Sequence, residues 1–289
     1  MAAITLSDGR VMSYQLSGAE DGVPAIHLHG LTDSGQLRHY DDAFTASLGV
    51  RIIAPDMPGV GLSTPNPGRS LLGWVSDAVA LADALHLDRF AVTAHSGGAA
   101  HALALAYMLP QRVTHLVLTS PVACFDEPDA RRMIVSKELQ TAVRFSRWHL
   151  FPLLRLVLIM LARQARTDLA NYIEDTVINY PGDAEVFIES PKQNEIFEAS
   201  FRDGVAHRGE GMYEMVRTIF RPWGFRPEDV TQPAMIFYGD QDDIIAPAIP
   251  LRLAARMPFA RAQLWPNGGH YEFVKRERWA EMMKAVVGR

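Results

Sequence analysis

Residues 90–100 read FAVTAHSGGAA. Phe90 to Thr93 is a short apolar run with β-branched members, which suits a buried strand. A helix-forming stretch, Ala100 to Tyr107, follows at once. Between them lies Ser96, crowded by the small residues Ala94, Gly97 and Gly98. The pattern is strand, sharp turn, helix, with a hydroxyl at the apex. A chain that reverses within so few residues tolerates only small neighbours, and it projects the apical side chain beyond the end of a sheet. Two plainer readings of the same residues are a glycine-rich turn that merely packs tightly and a phosphate-binding turn.

The chain has 289 residues, 48% of them apolar, so it can bury a sizeable core as one large α/β domain or two small ones. Its 28 basic and 33 acidic residues give a net charge of −5 without a run of like charges. Neither nucleic acid nor an anionic membrane is an expected partner. The opening MAAITLSDGR has no basic start and no apolar core, and no apolar run reaches spanning length, so a cytoplasmic location is expected. Cys124 is the single cysteine, which excludes an internal disulfide and suits a reducing compartment. It reads as a small buried hydrophobe rather than a nucleophile.

Working outward from the apex, Ala3 to Ser17 predicts two strands about an Asp8-Gly9 turn. Pro24 to His29 and Val50 to Pro55 predict parallel strands covered on both faces. Leu71 to His86 predicts a helix, the helix after Ser96 stops before Pro110, and Val113 to Ser120 predicts the next strand. From about Glu127 to Asp229 the pattern is helical, broken near Pro152, Pro181, Pro191 and Pro222, and the strand pattern resumes at Ala234 to Tyr238 and Ala262 to Trp265. The division is core over 1–126, an all-helical insertion over 127–228, and core again over 229–289. Alternating strands and helices imply a mostly parallel central sheet flanked by helices. Phe151 to Ala162 (FPLLRLVLIMLA) is too short to span a bilayer. It reads as a helix buried between insertion and core, with a lipid-facing or dimerising patch as the sharper reading. Basic residues crowd the first half of the insertion and acidic ones the second, as complementary faces of one helical unit would require.

The turn at Ser96 resembles the nucleophile elbow GxSxG of the α/β-hydrolase superfamily, with Ala94 standing where the first glycine is expected. Two upstream segments are similar to others of that family: His29-Gly30-Leu31-Thr32, and Asp56 to Ser63, DMPGVGLS, in the pattern DxPGxGxS. The resemblance implies the α/β-hydrolase fold, a cap domain at the helical insertion, and a serine hydrolase with chain order Ser, acid, His. Five histidines follow Ser96: His101, His115, His149, His207 and His270. His270, after Asn267-Gly268-Gly269 and a strand-like run, is similar to the family's GGH segment and is the expected base. The acid is expected in the loop after Tyr238, where Asp240, Asp242 and Asp243 compete. Family spacing selects Asp242, and Asp240 and Asp243 read as turn formers bonded to their own backbone. Asp126, after the preceding strand, is the alternative. The oxyanion donors implied are the backbone amides of Leu31 and Gly97. His29, Gly30, Thr32, Trp148 and Ile245 are candidate substrate contacts, and Ser34 could add a hydroxyl.

No cofactor is expected. His27 and His29 share one side of a strand, but the further His and Asp of a metallo-hydrolase are missing, so no metal is expected. GVGLS lacks the lysine of a P-loop. Family members with dehalogenase or epoxide hydrolase chemistry carry Asp where this chain has Ser96. The expected activity is hydrolysis of a carboxylic ester, lactone or related acyl bond of a small, largely apolar molecule under a lid. A carbon–carbon bond hydrolase, a cofactor-free lyase, a perhydrolase and a non-catalytic binding relative are the alternatives on the same fold.

Overall fold

The computed structural model describes residues 1–122, 133–137, 140–141, 144–145, 150–171, 173–174, 180–188 and 190–288. Cys124, Asp126, Trp148 and His149 lie outside them. Eight strands form one sheet in the order β1-β2-β4-β3-β5-β6-β7-β8. They are β1 Ala2–Thr5, β2 Val11–Gly18, β3 Val23–Leu28, β4 Val50–Pro55, β5 Phe90–His95, β6 Val113–Thr119, β7 Ala234–Gly239 and β8 Ala260–Trp265. The first hairpin turns at Gly9, in the left-handed region at φ 83°, and β1 and β2 are antiparallel, as β2 is to β4. Every other pairing is parallel.

The described helices are α1 Asp42–Ser47, α2 Leu71–Ala84, α3 Gly98–Met108, α4 Phe151–Thr167, α5 Ala184–Ile188, α6 Pro191–Gly204, α7 Glu210–Ile219, α8 Ala248–Arg256 and α9 Arg276–Val286. α2 illustrates why they form. Ser70 caps its start by accepting the Gly73 amide, and Leu71, Trp74, Val75, Ala78, Leu81 and Ala82 recur at helical spacing to form its buried face. It ends two residues before the expected His86, which itself turns left-handed at φ 56°. α3 is buried on every side from Gly98 to Ala106, and its run of Gly and Ala allows that close approach. One core lies on the α2 and α3 face of the sheet, and a second on the face covered by α9, around Phe237, Trp265, Phe273 and Trp279.

From β3 the chain crosses to β4 on one side and then returns to β5 on the other. In open α/β sheets, ligands bind beyond the carboxyl ends of the strands at such a reversal. The segment after β3 and the turn after β5 therefore meet there, with Leu28 paired to Ala94.

Two expectations change. α4 does not end at Ala162 but runs to Thr167, and only one of its faces is buried: Phe151, Leu154, Leu158 and Ala162 point inward. Leu156 and Met160 are 53% and 64% exposed, because an apolar run without helical gaps has no polar face to turn outward. β8 begins two residues early, at Ala260; as an edge strand it carries exposed Arg261 and Gln263, which hide it from an apolar-run reading. The Arg155 to Glu210 ion pair at 2.9 Å joins the basic first half of the insertion to its acidic second half.

Candidate active site

Ser96 adopts φ 50°, a left-handed backbone that costs a non-glycine residue about 1–2 kcal/mol. Surrounding bonds hold it there. Its amide donates to the Thr119 carbonyl at 3.0 Å, and its own carbonyl accepts from Ala99 at 3.1 Å and Val122 at 3.2 Å. Ala94 stays within β5 and is not among the residues of positive φ, so a methyl is tolerated where the family pattern has glycine. Gly98 has no such latitude, since a Cβ there would press on the Leu28 carbonyl and lie 2.6 Å from that of His29.

The roof over the turn comes from α7. A Cβ built on Gly97 would stand 3.0 Å from Ile219 Cδ1, 3.1 Å from Met215 Sδ and 3.7 Å from the Leu31 amide nitrogen. The Leu31 and Gly97 backbones thus adjoin beneath an apolar ceiling. α7 docks through glycine on glycine, for a Cβ on Gly211 would lie 2.6 Å from the Gly59 carbonyl. His29 braces this floor from below. Its Nε2 accepts the Met57 amide at 3.0 Å, which leaves Nδ1–H to donate to the Gly30 carbonyl at 2.8 Å. With both nitrogens spent and the ring fully buried, His29 holds two loops together and has no nitrogen left for a substrate. Burial lowers its pKa to about 4, so it stays neutral. His27 is also held at about 4 by burial and is bonded to the Thr93 hydroxyl at 2.8 Å. Among the described residues no group of three His, Cys, Asp or Glu could hold a metal.

The loops after β7 and β8 bring Asp242 and His270 together. His270 Nδ1–H donates to Asp242 Oδ2 at 2.9 Å and to Oδ1 at 3.1 Å. This fixes the tautomer and leaves Nε2 as the acceptor. Asp242 Oδ1 also accepts the amides of Ile244 at 2.9 Å and Ile245 at 2.8 Å. The local turn bonding expected of its neighbours is therefore made by Asp242 itself, and Asp243 instead accepts the amide of Gly182, 61 residues away. The His270 ring packs 4.6 Å from that of His95, the residue before Ser96. Burial alone would lower the His270 pKa; the Asp242 carboxylate overrides it, and the net shift is upward. His101, by contrast, is buried against Trp74, and His207 bonds the Gly61 carbonyl at 3.2 Å. Ile245 is buried and bridged to Ile134. Thr32 is half-buried, with its carbonyl against Gly204.

Two carboxyls near His270 escaped the sequence reading. Asp33 is buried behind Gly30, where a Cβ on that glycine would meet its Oδ2 at 2.6 Å and the Ser96 Cβ at 3.3 Å. The Tyr271 hydroxyl donates to Asp33 at 3.4 Å, and burial lifts its pKa to about 7. Asp183 belongs to the helical insertion and accepts the Tyr271 amide at 2.7 Å. An acidic residue inside the segment after His29-Gly30 was a visible hint of the first; nothing near Asp183 in sequence hints at the second. Met215 and Ile219, four apart on the strongly amphipathic α7, were readable as one face of a helix but not as the roof of a site.

An open, mostly parallel sheet that carries a left-handed serine at the end of a central strand, with a carboxylate-held histidine packed on the residue before it, defines a hydrolase-type α/β enzyme. Residues 25–277 match the family model described as alpha/beta hydrolase fold, and the chain belongs to that family. It is 36% identical over 124 residues to a non-heme chloroperoxidase of Streptomyces lividans, covering 42% of this chain and 45% of that one. It is 37% identical over 112 residues to a 2-hydroxymuconate semialdehyde hydrolase of Pseudomonas putida, covering 35% and 37%. The aligned region thus spans less than half the length of these two relatives. A hydrolase from Pseudomonas aeruginosa superposes with a TM-score of 0.73 at 21% identity, covering 100% of this chain and 98% of that one, a likeness of fold. Among the described residues no helix is long and apolar enough to cross a membrane.

Proposed function

We propose that this enzyme is a serine hydrolase cleaving a carboxylic ester, lactone or related acyl bond of a small, largely apolar molecule. The observation that carries the reading is the buried Nδ1–H bond from His270 to Asp242 at 2.9 Å, set against the residue preceding a left-handed Ser96. Asp242 keeps the His270 tautomer whose Nε2 is free to accept a proton. As the Ser96 hydroxyl attacks the carbonyl carbon, its proton passes to Nε2, and the carbonyl oxygen becomes an oxyanion held by the amides of Leu31 and Gly97. Collapse expels the alcohol, which takes the proton from His270. Water, deprotonated by the same nitrogen, then attacks the acyl-enzyme and releases the acid and free Ser96.

The insertion, expected over 127–228, serves as a cap, and the apolar ceiling of Met215 and Ile219 suits an aliphatic acyl group. A fluorophosphonate should label the wild type at Ser96 and leave Ser96→Ala unlabelled. A folded wild type that resists the reagent would sink the proposal. Asp242→Asn should lose activity by a factor of about a thousand or more while Asp240→Asn retains it. An ester and lactone panel of graded chain length identifies the acyl group.

The likeness to a 2-hydroxymuconate semialdehyde hydrolase favours one second reading, hydrolysis of a carbon–carbon bond with His270 acting chiefly as a base on the substrate. Turnover retained in Ser96→Ala selects it.

A further inference from the structure

The turn Pro181–Asp183 lies in the helical insertion, yet it is wedged between the two loops that carry Asp242 and His270. On one side the Gly182 amide donates to Asp243 Oδ2 at 3.0 Å. On the other the Tyr271 amide donates to Asp183 Oδ1 at 2.7 Å. Contact is backbone to backbone on both sides. A Cβ on Gly182 would strike the Gln241 carbonyl, and one on Gly269 would strike Asp183 Oδ1 and lie 2.5 Å from the Gly182 carbonyl. The two loops are also tied to each other, since the Gln241 amide donates to the Gly268 carbonyl at 3.0 Å. Three segments far apart in the chain therefore form one interlocked unit around the His270 imidazole.

Asp183 is 1% exposed, and its Oδ2 has no hydrogen-bond partner among the described residues. A carboxylate buried with one oxygen unsatisfied is costly unless a positive group faces it. Burial opposes the charge of Asp183 and Asp242 opposes it further, while the His270 imidazole and the backbone amides of Tyr271 and His270 favour it. The charged form of His270 is in turn favoured by Asp242, bonded to its Nδ1, and by Asp183 and Asp33, with the His95 ring packed 4.6 Å away. Burial lifts both Asp183 and Asp33 to about 7, the range in which a catalytic imidazole works.

We infer that Asp183 is a positioning residue for His270: through the Tyr271 amide it fixes the turn from which the imidazole projects, and its carboxylate steadies the imidazolium formed when the ring takes a proton from Ser96. The inference rests on the proposed triad. It makes the insertion a working part of the catalytic machinery as well as a cover, because one of its own residues holds the base in place. The buried carboxylate, whose Oδ2 has no hydrogen bond among the described residues, then gains a counterion when His270 is protonated.

Two substitutions separate the two jobs. Asp183→Asn keeps an oxygen for the Tyr271 amide but deletes the charge; Asp183→Ala deletes both. The readouts are the His270 imidazole titration, followed by NMR on protein with ¹³C-labelled histidine, and the pH dependence of Ser96 labelling by a fluorophosphonate. Removing a negative charge beside an imidazole lowers its pKa. In Asp183→Asn the His270 titration and the acid limb of the labelling profile should both move to lower pH, by on the order of one unit. Asp183→Ala should in addition label about tenfold or more slowly at its optimum, as expected for a misplaced base. Either variant folded, with a wild-type His270 titration and a wild-type labelling profile, overturns the inference. A merely structural role for Asp183 would lower the unfolding midpoint without moving either pH curve, and that result overturns it too. Should Asp183→Ala not fold, Asp183→Asn alone decides. A wild type that is not labelled at all defeats the proposed function instead, and the NMR titration of His270 still decides the role of Asp183.

Discussion

Replacing Gly98 by alanine sets two effects of opposite sign against each other within one residue. Gly98 opens α3 with φ outside the left-handed region, so alanine can adopt its backbone. Judged on helix propensity alone, the change should stabilise the protein by about 1 kcal/mol. The added methyl, however, would press on the Leu28 carbonyl and lie 2.6 Å from the His29 carbonyl. Neither is a side chain that can swing away; both belong to the end of β3 and the segment after it. α3 must therefore lift off the strand, and overpacking of this kind costs about 1–3 kcal/mol, with rigid backbone obstacles at the upper end. The net expectation is a loss of about 2 kcal/mol, or roughly 4–8 °C in Tm for a domain of this size. Catalysis should suffer more than stability, because the displaced helix carries the Gly97 amide. A shift of about 1 Å in such a donor is worth roughly a hundredfold in rate. The assay is urea unfolding followed by tryptophan fluorescence, run beside the rate of fluorophosphonate labelling. A Gly98→Ala protein with an unchanged or raised midpoint and a wild-type labelling rate would refute the idea that carbonyl crowding forces glycine here.

Three further outcomes are expected. His29→Ala removes the bonds to the Met57 amide and the Gly30 carbonyl and leaves a cavity, so it should cost about 2–4 kcal/mol in the urea midpoint; a smaller loss would show that the two loops do not depend on it. Burial depresses the His27 pKa from 6.5 to about 4, so the unfolded chain binds more protons between those values, and the contribution of this group, on the order of 3 kcal/mol when complete, is lost as pH falls through that window. His27→Asn should therefore show a shallower decline in stability than wild type from pH 6.5 to 4, even though the raised carboxyls Asp33, Asp56 and Asp183 slope the other way in both proteins, and parallel curves would contradict it. Gly211→Ala would push a methyl to 2.6 Å from the Gly59 carbonyl and 2.7 Å from Val60 Cγ2, lifting Met215 and Ile219 from the turn; KM should rise several-fold for short acyl substrates, and an unchanged KM argues against α7 as the roof.

The strand, turn and helix around Ser96 were legible because each feature is local: a buried apolar run, a cluster of small residues, a helical stretch. The segments after β3 and β4 were legible through family likeness and begin where those strands end. What escaped depends on distance along the chain. Asp183 follows Pro181, which reads as a helix break, and only the folded arrangement brings it to a turn 88 residues later. Asp243 reads as a local turn former because its partner, Gly182, lies 61 residues away. The first two residues of β8 carry no strand signal because an edge strand with one wet face lacks the apolar signature of its neighbours. The outward Leu156 and Met160 of α4 blur its periodicity, since they put apolar side chains on the same face as Arg155 and Arg163.

Ser96 is fastened through its amide to Thr119, the last residue of β6, and through its carbonyl to Val122 beyond that strand and to Ala99 of its own helix. Such a residue cannot fray away while the rest of the sheet survives. The Ser96 turn should accordingly lose its shape only together with the sheet, so heat that spares the fold can reach activity only through the loops that carry Asp242 and His270.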